Sequence, residues 1–290
     1  MPLAKKTIKS KTTSKMQVDP HQVKKPMAQT NTKVKSKTKV KVKVKGKGSP
    51  SLAERGSGDG PHQVATQPSL VALHFMDISL RHSDIQLLQS DHEGVNERLV
   101  AFYYAHLQHR RYRSQPDLCF LNPALVAQLR HMDMRQLWTM VRDRRLHEKQ
   151  FILLPLATHP RPHGHWSLLL VSRPDGKFYH YDSIDNCHSM LAYAVSETLR
   201  APLEAWKFVL TTGRCLQQQR QSPSKEGRDR DPSSGIHLMC MTEHVADYVS
   251  RCEYATSSLL IAYDQISGMR TYLLELIQSL GGILPPKRSH

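Results

Sequence analysis

Three residues in this chain are of types that do nucleophilic chemistry together: His165, Asp182 and Ser234. An imidazole beside a carboxylate is the base-and-orienter half of a triad, in which the carboxylate fixes the tautomer and stabilises the imidazolium. The third member should arrive at a helix N-terminus, where the dipole and free N–H groups favour an anion. In "DRDPSSGIHLMCMTEHV", residues 229–245, Ser234-Gly235 is such a helix start downstream of the other two. The blander alternative fits the same spacing: Ser234 caps the helix beginning near Gly235, and His165 and Asp182 are surface residues at strand ends.

These residues need a frame. "KQFILLPLA" (149–157), "HWSLLLVS" (165–172) and "KFYHYDS" (177–183) are short apolar runs separated by turn chemistry, and they predict three strands. Pro174-Asp175-Gly176 makes the last turn, because proline fixes φ and glycine accepts a positive one. Antiparallel pairing then brings His165 and Asp182 to one end of the sheet. Simple pairing leaves them a few residues out of register, so a bulge or twist is expected to finish the alignment. Apolar residues at helical spacing predict helices over 83–89, 95–108, 121–132 and 134–143, with Asn122 and Pro123 as a start signal for the third. A helix within 189–206 that closes near Pro202, a fourth strand over 206–212 and closing helices over 235–252 and 256–280 complete the pattern. Helices, a small central sheet and helices again make an α+β domain over 70–290.

Residues 1–69 read differently. The first 50 hold 15 Lys, no Arg and one acid, Asp19, so they carry +14 of the formal +16. The other 240 residues are nearly balanced, so the basic character describes a tail. Lysine stands at every odd position from 33 to 47. As a strand, that run would have one wholly cationic face and nothing to cover the other, so a solvated, disordered tail and linker is expected. Such a tail suits an acidic partner or an import receptor, and cytoplasm or nucleus is the expected location. No apolar run approaches a membrane span, and no membrane partner is expected. Five cysteines without a C-x-x-C pair point to reduced thiols rather than disulfides or zinc. His159, His163 and His165 crowd one stretch, but Pro160 and Pro162 break its regularity, and no metal is expected there.

"HWSLLLVSRPDGKFYHYDS", followed by glutamines and then "SSGIHLMCMTEHV", resembles the Ulp-type ubiquitin-like-modifier proteases, with the nearer likeness to the deneddylase (Den-type, NEDD/Rub-specific) branch. The likeness continues upstream through "FMDISLRHSDIQLL" (75–88), "VNERLVAFYYAHL" (95–107) and "LCFLNPALVAQL" (118–129). It implies a papain-like cysteine-protease fold, no cofactor, and a monomer acting on a NEDD/Rub-type modifier or its conjugates, with SUMO and ubiquitin behind. His165 would be the general base, Asp182 its orienter, and Trp166 a wall of the tunnel that admits the modifier's Gly-Gly tail.

The resemblance places Ser234 where the family carries its catalytic cysteine. It places modifier-tail binding, besides Trp166, at Gly94, where the family has the Trp of the tunnel's second wall, and at Asn96. Gln218 or Gln219 would be the oxyanion donor, separated from Ser234 by the hydrophilic insertion "RQSPSKEGRDRDPS". These departures imply a modifier-recognising protein of weak or absent catalysis. An active deneddylating peptidase using Ser234, or a non-catalytic scaffold working through its tail, are the alternatives.

Overall fold

The computed structural model describes residues 70–158, 164–218 and 232–287. The Lys-rich tail, His159, His163 and Gln219 lie outside them.

A five-stranded mixed sheet carries the site. Its three central strands are those the apolar runs predict: β4 (Phe151–Ala157), β5 (Trp166–Ser172) and β6 (Lys177–Tyr181), antiparallel to one another. β3 (Leu118–Phe120) and β7 (Val209–Thr212) flank them in parallel, giving the order β3-β4-β5-β6-β7. Every residue of β5 is buried, so its sequence is apolar without alternation: both faces of the sheet are covered.

Strand periodicity divides the core in two. Trp166, Leu168 and Leu170 of β5, with Tyr179 and Tyr181 of β6, join a core built with α2 (Glu97–His106), α6 (Ser234–Cys252) and α7 (Tyr263–Ser279). Leu169 and Val171, with Phe178, join a second core under α3 (Pro123–Gln128), α4 (Met134–Asp143) and α5 (Ser189–Arg200). One face of β5 therefore looks at α6 and the other at α5. This division decides which residues meet at the end of the strand.

Several expectations shift in detail. A two-stranded hairpin, β1 (Val71–Phe75) and β2 (Ile78–Arg81), precedes the first helix, α1 (His82–Leu88). Its strands are too short to show a period, as is β3. The helix expected over 95–108 begins at Glu97 under an Asn96 cap and runs into a π-turn over Leu107–Arg111. The helix expected over 121–132 is split into α3 and a 3₁₀ turn, with Asn122 capping as anticipated. α5 stops at Arg200, before Pro202. α7 begins at Tyr263 rather than 256, because the preceding segment is held by the chain after β7: Arg214 N–H donates to Ser257 O at 2.6 Å, and Arg214 O accepts Leu259 N–H at 2.8 Å.

The turn between β5 and β6 closes as read, with Gly176 at φ +59° and its N–H donating to Arg173 O. No bulge follows. The ladder runs without a slip from Ser172 opposite Lys177 to Leu168 opposite Tyr181.

Candidate active site

His165 and Asp182 meet although they are not opposite each other. With Leu168 opposite Tyr181, the next step outward places Ser167 across from Asp182, and His165 lies two residues further on the same side. Such a diagonal pair is about 7–8 Å apart at the backbone, within reach of an imidazole. His165 Nε2 donates to Asp182 Oδ1 at 2.6 Å. The length of the side chain does what a bulge was expected to do.

Asp182 is fully buried and anchored by more than His165. Its Oδ1 also accepts Ile184 N–H at 3.0 Å, and its Oδ2 accepts His188 N–H at 2.8 Å. Burial pushes the carboxyl upward, but the hydrogen bond and charge of His165 and the two amides outweigh it and hold it below the usual carboxylate range. Asp182 is an anion at neutral pH.

Ser234 arrives on the other face of β5. It is the first residue of α6, one position earlier than expected, and Ser233 occupies the cap position instead. Ser233 makes no cap hydrogen bond, because its hydroxyl donates to Gln218 Oε1 at 2.7 Å. The Ser234 hydroxyl is fully buried and accepts the backbone N–H of Trp166, the residue after His165, at 3.2 Å.

Gly235 makes this approach possible. A Cβ built on it would lie 2.0 Å from Val95 Cγ2 and 3.2 Å from Trp166 Cδ1, so a side chain there would displace Val95. Arg270 of α7 ties the same seam from behind. Its guanidinium donates to Leu87 O at 2.8 Å, Glu93 O at 2.5 Å and Pro232 O at 3.2 Å, joining the segments that precede Gly94 and Ser233.

The remaining candidates fall around this seam. Trp166 is buried against Gly235. Gly94 is buried next to Val95. Asn96 is occupied in the fold: its Oδ1 caps α2 at Leu99 N–H, and its Nδ2 donates to the buried Asp84 at 2.6 Å. Gln218 reaches the seam despite the insertion, because the chain is pinned beforehand: its N–H donates to Ser183 O and its Nε2 to Ser183 Oγ, while Gln217 Nε2 donates to Asp182 O.

Neither thiol nearby, the buried Cys240 or the half-buried Cys215, is poised as a nucleophile. Burial foremost pushes Cys240 and Cys215 up to about 12, and Cys215 donates to Asp182 O.

Sequence reading missed Ser167, His180 and His188. Ser167 and His180 share strand parity with His165 and Asp182, so the period-two pattern held that signal. His188 follows the strand in an irregular segment, where no pattern could mark it.

His180 provides a pH test. Burial, working against the pull of Asp182, lowers its pKa from the ordinary imidazole value of about 6.5 to about 4. Between those values the unfolded chain binds a proton that the folded chain refuses. The contribution is therefore fully present above pH ~6.5 and is lost as pH falls toward 4, on the order of 3 kcal/mol. Urea midpoints measured from pH 7.5 to 4.5 should fall less steeply for His180→Gln than for the unaltered protein; parallel slopes would show that His180 is not held neutral.

The family now follows from the sequence as a whole. The profile of the Ulp1 protease family, C-terminal catalytic domain, matches residues 93–279. The chain belongs to this family. Among its relatives, sentrin-specific protease 8 of Mus musculus is 23% identical over 216 residues, covering 72% of this chain and 93% of that protein. The Homo sapiens protein of the same name is also 23% identical, over 215 residues, covering 72% of this chain and 97% of its own. Among solved structures, the SUMO protease Ulp1 with its catalytic cysteine oxidised to a sulfenic acid superposes with a TM-score of 0.55 at 15% identity, over 72% of this chain and 88% of that one. The C-terminal Ulp1 protease domain in complex with SMT3, the yeast ortholog of SUMO, gives 0.52 at 18% identity, over 75% and 90%. These structural likenesses establish the Ulp1 protease fold, with its small mixed sheet between helical layers.

Proposed function

We propose that this Ulp1-family protein recognises a NEDD/Rub-type ubiquitin-like modifier, or proteins carrying it, and cleaves poorly or not at all. The observation that supports this most is Ser234 itself: a buried hydroxyl at the first turn of α6, against the N–H beside the base. Asp182 takes Nε2 of His165, and Nδ1 would be the nitrogen that exchanges a proton with a nucleophile and then with the leaving amine. Acyl transfer to Ser234 would form a C–O bond and break the C–N bond after the modifier's terminal glycine, the hydroxyl proton passing to that nitrogen and from it to the departing amine. A thiol in this place would already be ionised, whereas the hydroxyl must give up its proton within the barrier.

Recognition and chemistry use different contacts, so the loss of the thiol leaves binding of the modifier's tail along Trp166 intact. Gln218 beside Ser233 favours a second reading, residual hydrolysis by Ser234, since it brings an amide toward the place where an oxyanion would form.

Titrating the full chain with NEDD/Rub-type modifier ending in Gly-Gly, and incubating it with the uncleaved precursor, separates these readings. Saturable binding that weakens in Trp166→Ala, without precursor cleavage over hours, is the expected result. Cleavage abolished by Ser234→Ala would establish a working serine protease. Failure to bind NEDD/Rub, SUMO or ubiquitin would leave the scaffold reading.

A further inference from the structure

Asp182 and His165 share a third neighbour. The backbone N–H of His188, at the start of α5, holds Asp182 Oδ2 at 2.8 Å, and the imidazole of the same residue lies on His165. The two ring centroids are 4.5 Å apart with the planes at 65°, an edge-to-face contact. His188 Nδ1 is 3.1 Å from Ser167 Oγ, which is itself 3.1 Å from His180 Nε2. All three side chains are buried.

The protons in this chain can be assigned from the network. Ser167 has one to give. His180 Nε2 lies 4.0 Å from Asp182 Oδ2, which favours a proton on that nitrogen, so His180 donates to Ser167. Ser167 then donates to Nδ1 of His188, which is left neutral with its own proton on Nε2. A neutral ring can brace His165 without opposing the imidazolium that forms during a proton transfer; a cation there would oppose it. Among the described residues no group of three or more His, Cys, Asp or Glu could hold a metal ion. The imidazoles here are linked through Ser167 and Asp182.

We propose that His188 is a positioning residue for the base. With its amide on Asp182 and its ring on His165, it holds the imidazole in the orientation that gives Nε2 to the carboxylate and turns Nδ1 toward the nucleophile's place. Ser167 and His180 set the angle of the bracing ring. The proposal rests on reading His165 and Asp182 as base and orienter, so its test observes that pair directly and needs no turnover.

The probe is the low-field ¹H resonance of His165 Nε2–H in the full chain labelled with ¹⁵N-histidine, assigned by its loss in His165→Gln. Its exchange with water is compared among variants whose amide spectra show an intact fold. Exchange should be at least about tenfold faster in His188→Ala, where the brace is gone, and within about twofold of the unaltered chain in His188→Phe, where a ring remains. Ser167→Ala, which releases the His188 ring while leaving it in place, should fall between them. It decides the matter if His188→Ala does not fold. An unchanged resonance in a folded His188→Ala, or in Ser167→Ala, would overturn the role of His188 while leaving the base–orienter pair standing. Equal loss in His188→Phe and His188→Ala would overturn the bracing by the ring. Absence of the resonance from the unaltered chain would sink the pair and the role of His188 with it.

Discussion

Ser234→Cys should make the protein react with a NEDD/Rub-type modifier carrying a C-terminal electrophile, at least about a thousandfold faster than the unaltered chain, or roughly 4 kcal/mol of barrier. Two features that stabilise a thiolate, a helix N-terminus and a backbone N–H, are present at this position. The new sulfur would sit in the first turn of a 19-residue helix, with the helix dipole behind it and Trp166 N–H aimed at it. His165, anchored by a buried anion, would supply the counter-charge. A hydroxyl in the same place remains protonated until attack. Intact-mass measurement gives the result: a covalent adduct at position 234 in the variant and none in the unaltered chain. Comparable labelling of both would mean that the hydroxyl is activated as it stands. No adduct in a folded variant would mean that the seam does not accept the modifier's tail.

Asp182→Asn, made in the Ser234→Cys background, should reverse that gain and destabilise the fold. The carboxylate faces only donors: His165 Nε2–H and Ile184 N–H on Oδ1, and His188 N–H on Oδ2. An amide is nearly the same shape but has one oxygen and one NH₂. In either orientation its nitrogen must face an N–H, and a buried donor loses its partner. Stability should drop by about 2–4 kcal/mol. The imidazolium would lose its counter-ion, so labelling near pH 7 should fall by on the order of 10²–10⁴. The labelling profile should also move to higher pH, as the thiol returns toward its ordinary value of about 8.5. Urea denaturation and labelling rates across pH 5–9 test both parts. A profile that keeps its midpoint would show that Asp182 has no hold on the base.

The parts of this site that were legible are those written in short stretches of chain. β4, β5 and β6 show as apolar runs broken by a Pro-Asp-Gly turn, and the hairpin places His165 and Asp182 at one end. How the two would touch was not legible. A bulge is a property of backbone pairing, whereas the contact is made by side-chain reach across an unbroken ladder. The start of α6 was expected one residue late, with Ser234 as its cap: Ser233 sits in the cap position, but its hydroxyl is drawn to Gln218, 15 residues earlier. That same contact crosses the insertion, which reads in sequence as a separation. The hairpin β1–β2 and strand β3 were missed because strands of three to five residues carry too little pattern. Arg270, which gathers three carbonyls from distant segments, looks in sequence like any cation on a closing helix.

The two halves of the site differ in how far the chain must travel to build them. His165 and Asp182 are 17 residues apart across one hairpin, while the Trp166 amide finds its acceptor on Ser234 across 68 residues. Hairpins close in about 1–10 μs, whereas a contact of long sequence separation must wait for a larger loop to be closed. By these separations, the His165–Asp182 pair should assemble through local motion before the docking of α6 brings Ser234 to Trp166. The Trp166 amide is then a clock for that docking, protected from hydrogen exchange only once Ser234 has arrived. A chain paused before this event would hold a complete proton acceptor with nothing yet beside it to activate.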